Sequence, residues 1–215
     1  MHTWLNFIKN IIFPASSQII FLENASATEL NSKIERPKEL ATGSEAIFSY
    51  HHPLTKTAIW AVKYQGNRQI LKNLAGPLYE NILDHITNDH ALGHTDRQLL
   101  IPIPMSSQKQ RTRGYNQCAW LAEELYKLDR GTSLELRTDI LYKIRHTEAQ
   151  SHLKHKKLRL TNLAQSFAVL NPQPLLGRRV ILLDDVITTG ATTETCRQLL
   201  LQAGASTVMV FALAH

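Results

Sequence analysis

Cysteine is nearly absent from this chain. Cys118 and Cys196 are its two cysteines in 215 residues, and they fall in separate segments with helical patterning. Two such residues supply neither a disulfide framework nor a Cys-rich zinc site. Long apolar runs are missing as well. The start, from Met1 to Leu22, is apolar but interrupted by Lys9, Pro14 and Ser16-Ser17-Gln18, and no run approaches the roughly 20 residues that a membrane-spanning helix needs. No basic stretch precedes it, so a secretory signal is not expected despite the cleavage-like Ala25-Ser26-Ala27, and no stable membrane insertion is expected either. There is no internal repeat and no excess of acid. Lys and Arg number 24 against 18 Asp and Glu, for a net charge of +6 and a pI near 9.4, which favours anionic ligands without identifying them. Hydrophobic content of 43% is that of an ordinary globular protein. The length suits one α/β domain with an appendage, or two small domains.

The chain is organised around Val180-Ile181-Leu182-Leu183-Asp184-Asp185-Val186-Ile187-Thr188-Thr189-Gly190-Ala191-Thr192. A short, continuous apolar run is what a parallel strand buried on both faces needs. Two carboxylates end it, a loop rich in threonine follows, and Thr193 onward reads as a helix. A strand that feeds a small-residue turn into a helix N-terminus builds an anion site, because backbone N–H groups converge there and the helix dipole favours negative charge. Gly190 permits close approach of the backbone. The two Asp side chains point to opposite faces at the strand's carboxyl end, where open α/β sheets bind ligands.

Elsewhere the pattern is one of strands alternating with helices, which predicts a doubly wound parallel α/β sheet. Residues 4–13 carry a helical apolar face. Residues 23–45 are polar and read as a linker or irregular hood. Segments 46–50 and 57–62 are strand or helix pieces, and 63–67 is a turn. Ile70, Leu71, Leu74, Leu78, Ile82 and Ile86 recur at helical spacing, with Gly76-Pro77 either kinking one helix or starting a second. Residues 98–104 read as a strand, 105–117 as a loop with three cations, and 118–128 as a helix with Leu121, Leu125 and Leu128 on its apolar face. A strand at 139–144 and a long polar stretch from Arg145 to Ser166 come next. After the central strand and a helix over 193–203, a strand at 207–213 closes the sheet.

The central stretch resembles the 5-phosphoribosyl-1-diphosphate (PRPP) signature of type I phosphoribosyltransferases. Four further stretches narrow the likeness. They are Ala58 to Asn67, Ile101-Pro102-Ile103-Pro104, Arg113-Gly114-Tyr115-Asn116-Gln117, and Arg145-His146-Thr147-Glu148-Ala149-Gln150 with Leu153, Arg159, Asn162 and Phe167. In this order they resemble the ComF/GntX family, over residues 46–215. The resemblance implies a type I phosphoribosyltransferase domain over 46–215 and a small irregular N-terminal region over 1–45. Family members often open with a four-cysteine zinc module after an LFP-like tripeptide. Here Ile12-Phe13-Pro14 is followed by Ala15-Ser16-Ser17, so the N-terminal region reads as a metal-free relic and no zinc is expected.

The resemblance also assigns roles. Thr188, Thr189, Gly190, Ala191 and Thr192 would hold the ribose 5-phosphate. Asp184 and Asp185 would be the catalytic acids, meeting the ribose hydroxyls directly or through water on Mg²⁺, the expected cofactor. Ser106, Ser107, Lys109, Arg111 and Arg113 would bind the diphosphate. Arg145, Thr147, Gln150 and Arg159 belong to the segment in the place of a flexible loop that closes over the reacting carbon. The implied function is that of a PRPP-binding protein with Mg²⁺ in the cytoplasm, acting in natural competence on incoming single-stranded DNA, with competence-machinery proteins as further partners. The alternative is an active phosphoribosyltransferase of nucleobase or nucleotide salvage, unrelated to DNA uptake, and residues 1–75 offer it no interpretable base pocket. On the first reading, DNA would lie in a groove between Lys109–Arg113 and Lys154–Arg159, with Tyr115 as the aromatic able to stack a base.

Overall fold

The computed structural model describes residues 17–37, 40, 43–144 and 166–215. The helix expected over 4–13 and the loop residues Arg145, Thr147, Gln150, Lys154 and Arg159 lie outside them. In chain order the elements are α1 (Ser17–Asn24), α2 (Ala27–Lys33), β1 (Ser44–Phe48) and α3 (Pro53–Trp60), which runs into a π-helical turn (Ala61–Gln65). Then come α4 (Arg68–Ala91), β2 (Gln98–Pro102), α5 (Ser107–Arg113), α6 (Gln117–Asp129), β3 (Leu134–Leu136), β4 (Leu141–Lys143) and β5 (Phe167–Val169). The last three are β6 (Arg179–Val186), α7 (Ala191–Gln202) and β7 (Thr207–Ala214).

Five strands form one parallel sheet in the order β1-β7-β6-β2-β3. The apolar run of β6 explains its central place. Ile181 and Leu183 enter a core with α4, α6 and the N-terminal helices, while Val180 and Leu182 enter a second core with α7 and the β4–β5 hairpin. Both faces are therefore covered, as parallel strands require, and the two acids that follow inherit the alternation. Helix α4 buries all six of its expected apolar positions at 2% exposure or less. It continues as one helix through Pro77, with Gly76 set against Ala27 of α2.

Several expectations are corrected. The polar stretch after residue 23 is not irregular throughout. Ser26 and Glu29 form a capping box that starts α2, with each side chain bonded to the other's backbone N–H. Residues 105–117 are not a loop, because α5 lies inside them between an N-cap at Ser106 and Gly114 at φ +85°. The strand near 139–144 is shorter and leaves the main sheet to pair antiparallel with β5. The sheet's next strand after β2 is instead β3, at the edge. Strand β7 lies between β1 and β6 rather than closing the sheet. Leu128 is 45% exposed, so the apolar face of α6 runs through Leu121 and Leu125 without it.

Candidate active site

Asp184 and Asp185 lie at the carboxyl end of β6, and the structure makes them unlike each other. Asp185 shares the face of Ile181 and Leu183, where the π turn and α6 cover it. Lys63 Nζ reaches its Oδ2 at 2.8 Å, and Gln117 Nε2 donates to the same oxygen at 2.9 Å. Gln117 Oε1 in turn accepts from Arg113 at 2.5 Å. Asp184 is half-buried. It accepts from its neighbour's backbone N–H at 2.8 Å and from the Cys118 thiol at 3.5 Å, both on Oδ1. Burial, and then the charge of Asp185, push its carboxyl up to about 7. Burial and the two carboxylates hold the Cys118 thiol well above its ordinary range, so the thiol stays protonated and acts as a donor. One atom from each of Cys118, Asp184 and Asp185 lies within 4.8 Å of the others, the one such group among the described residues.

The loop after β6 leads through a left-handed residue into α7. Gly190 takes φ +73° as the N-cap of α7 and offers no side chain to the first turn. Thr188 and Thr189 are exposed. Ala191 N–H lies 3.5 Å from Thr189 Oγ1, Thr192 occupies the first turn, and the Thr193 hydroxyl donates back to Gly190 O at 2.8 Å. The loop is thus braced from Thr193, which the sequence reading left out of the site.

The diphosphate candidates are divided by α5. Ser106 spends its hydroxyl on the cap, accepting from Lys109 N–H, and Ser107 opens the helix. Lys109 and Arg113, four apart, share a face of α5, and Arg111 lies on another. The structure therefore does not present the three cations together. Besides Gln117 and Cys118, two lysines join the site that were given no role from sequence. Lys63 neutralises Asp185. Lys143, on β4, has its ammonium pKa lowered by burial and then by the charge of Lys109, against the pull of Cys196 and Asp184. Lys143 thus lies within electrostatic reach of Asp184. Lys63 and Gln117 both sit inside stretches that resemble the family's motifs, which was the available signal.

Tyr115, the aromatic expected to stack a base, already has partners within the chain. Its hydroxyl donates to Val62 O at 2.7 Å, and its ring stacks on Trp120 with centroids 3.9 Å apart and planes 6° apart.

No protein-family model matches the chain. Among curated proteins it is 32% identical over 167 residues to competence protein F of Haemophilus influenzae, covering 77% of this chain and 69% of that one. The chain belongs to the competence protein F family. Other relatives of this ComF chain are the DNA utilization protein YhgH of Escherichia coli O157:H7, 30% identical over 78% of this chain and 69% of that protein, and ComFC of Bacillus subtilis, 27% identical over 83% and 66%. Solved structures overlap it more loosely. The allosteric regulatory enzyme of purine biosynthesis matches 66% of this chain and 25% of its own, at 19% identity and a TM-score of 0.41. Hypoxanthine phosphoribosyl transferase of Trypanosoma cruzi matches 66% and 63%, at 12% identity and a TM-score of 0.42. Among the described residues of the ComF chain no helix is long and apolar enough to cross a membrane.

Proposed function

We propose that this ComF protein binds PRPP together with Mg²⁺ at the carboxyl end of β6 and acts in the cytoplasm on single-stranded DNA taken up during transformation. The observation that carries this reading is a charge imbalance beside an anion cradle. Of the two carboxylates only Asp185 has an ion pair among the described residues, with Lys63, and Asp184 stands beside it next to a helix N-terminus opened by Gly190. An uncompensated half-buried carboxylate attracts a cation, and the cradle attracts a phosphate. The names of the relatives, competence protein F and DNA utilization protein, support DNA as the other partner.

The donor set fits Mg²⁺. Carboxylate oxygens suit a hard cation, and the protonated Cys118 thiol is a donor to Asp184 rather than a competing ligand. Asp184 would hold the ion, with Asp185 beside it fixed by Lys63 and Gln117. Bound Mg²⁺ would supply charge neutralisation for the diphosphate. The chain's own residues divide the remaining work. The N–H groups of α7 and the hydroxyls of Thr188, Thr189 and Thr192 receive the 5-phosphate. Lys109, Arg113 and Lys143 approach from α5 and β4 on the side of the acids, where their charges would stabilise a leaving diphosphate in phosphoribosyl transfer.

Calorimetry tests the reading. PRPP is expected to bind with Mg²⁺ and not in a chelator. Asp184→Asn is expected to weaken it at least tenfold, since a hydrogen bond to a charged group is worth about 1.5–3 kcal/mol. Equal affinity in the variant and the unaltered chain would overturn the site.

A further inference from the structure

Helix α3 passes without a break into the π turn, so Lys56, Trp60 and Tyr64 recur every four residues along one stripe. The other side of the same stretch is core, with Ala58, Ile59, Ala61 and Val62 at 4% exposure or less. Trp60 is 51% exposed and Tyr64 68%. Their rings lie 6.2 Å apart and tilted by 42°. A single exposed apolar side chain is ordinary, but two neighbouring aromatic rings set among cations form a surface of another kind.

One cation lies over the Tyr64 ring. Arg113 Cζ lies 5.5 Å from the centroid of Tyr64, and Lys56 continues the stripe in solvent. A second set of the same chemistry has Arg68 4.0 Å over Trp120 and Trp120 stacked on Tyr115. Trp60 and Tyr64 present this chemistry with more than half of each residue exposed. Flat π faces beside guanidinium groups suit a ligand that is itself flat and carries an anion next to the ring, which describes an unpaired base with its phosphate. A base within a duplex has both faces already stacked and offers nothing to such rings.

The surface is also joined to the acid pair. Lys63 lies between the two aromatic positions in the chain and ends on Asp185, while Arg113 reaches the same oxygen through Gln117. We propose that Trp60 and Tyr64, flanked by Arg113, form a stacking platform for the unpaired bases of a single-stranded nucleic acid on the shoulder of the acid-pair site. The proposal rests on the reading of nucleic acid as a partner.

The test compares a dye-labelled oligothymidylate with an abasic oligomer of equal length, using fluorescence anisotropy on the full chain. The base-bearing strand is expected to bind about tenfold more tightly. Trp60→Ala and Tyr64→Ala should each remove most of that difference while leaving the abasic strand's affinity unchanged. Arg113→Gln should instead weaken both strands and reduce the slope of log affinity against log salt by about 0.7. Leu128→Ala, an exposed apolar change on α6, should alter neither. If the chain binds DNA but the alanine variants keep the full difference between strands, the platform is overturned and DNA binding stands elsewhere. If neither strand binds, the platform falls together with the nucleic-acid reading, and PRPP calorimetry still judges the acid pair by itself. A self-associating chain that Trp60→Ala renders monomeric in sedimentation would assign the rings to a second copy and also overturn the platform.

Discussion

Strand β6 has a buried acid site at each end, and the two are compensated differently. At the amino end, Asp89 of α4 is 5% exposed and meets Arg179 through two bonds, at 2.5 and 3.0 Å. Gln98 donates to it at 2.7 Å, and His85 lies within 3.3 Å. One carboxylate there has one guanidinium in bidentate contact, the arrangement in which a buried pair recovers its desolvation cost. At the carboxyl end two carboxylates have one lysine between them, a thiol and an amide supply the neighbouring bonds, and one acid is pushed toward neutrality. A buried site with matched charge holds elements together, and Asp89 ties α4 to β2 and β6. Asp184 is the acid that the proposed reading gives to a bound ion.

The largest effect expected from this contrast is at the amino end. Asp89→Ala would strand Arg179 against the sheet and should cost about 3–5 kcal/mol in urea unfolding. A loss under about 1 kcal/mol would remove the distinction between the two ends. Asp184→Asn should act in the opposite direction. The folded chain keeps a proton on Asp184 that the unfolded chain loses near the ordinary carboxylate pKa, so ionisation penalises the fold as pH rises from about 4 toward 7 and fully above that. An amide escapes the penalty. In chelator-treated buffer the variant should be about 2 kcal/mol more stable at pH 8 and no different near pH 4. A shift of equal size at both pH values would show that the carboxyl is not held up. The smallest effect concerns the neutral bonds that brace the carboxyl end. Tyr115→Phe removes the donor to Val62 O under the turn that carries Lys63, and should cost about 1 kcal/mol. A loss matching that of Asp89→Ala would mean that the two ends are held with equal strength.

The contrast also marks what could be read in the sequence. The run of β6, the acids after it and the apolar spacing of α4 depend on neighbours in the chain, and local periodicity reports them. Helices α2 and α5 were legible in principle. Ser26 and Glu29 have capping-box spacing, and Ser106 with Gly114 brackets α5, but polar composition and the density of cations read as loop. Strand β3 is a Leu-Glu-Leu tripeptide, too short to carry a period. The inequality of the acids was not legible, because it depends on Lys63 and Gln117, which reach Asp185 from far along the chain. The exposed stripe of Trp60 and Tyr64 was hidden for a related reason. An aromatic at helical spacing reads as core unless the fold shows which side of the helix faces the sheet.

The β4–β5 hairpin has a consequence for how the chain can vary. Its strands pair from Leu141 opposite Val169 to Lys143 opposite Phe167, and Ile144 N–H donates to Ser166 O at 2.8 Å just beyond them. The two ends of the stretch between Ile144 and Ser166 are thus fastened to each other, and Leu141 and Phe167 root the hairpin in the core beneath α7. The hairpin therefore brings Ile144 and Ser166 to one point beside α7, and that closure is set by β4 and β5 themselves, so substitutions that loosen Leu141 or Phe167 would part the two ends before they disturbed the packing around β6.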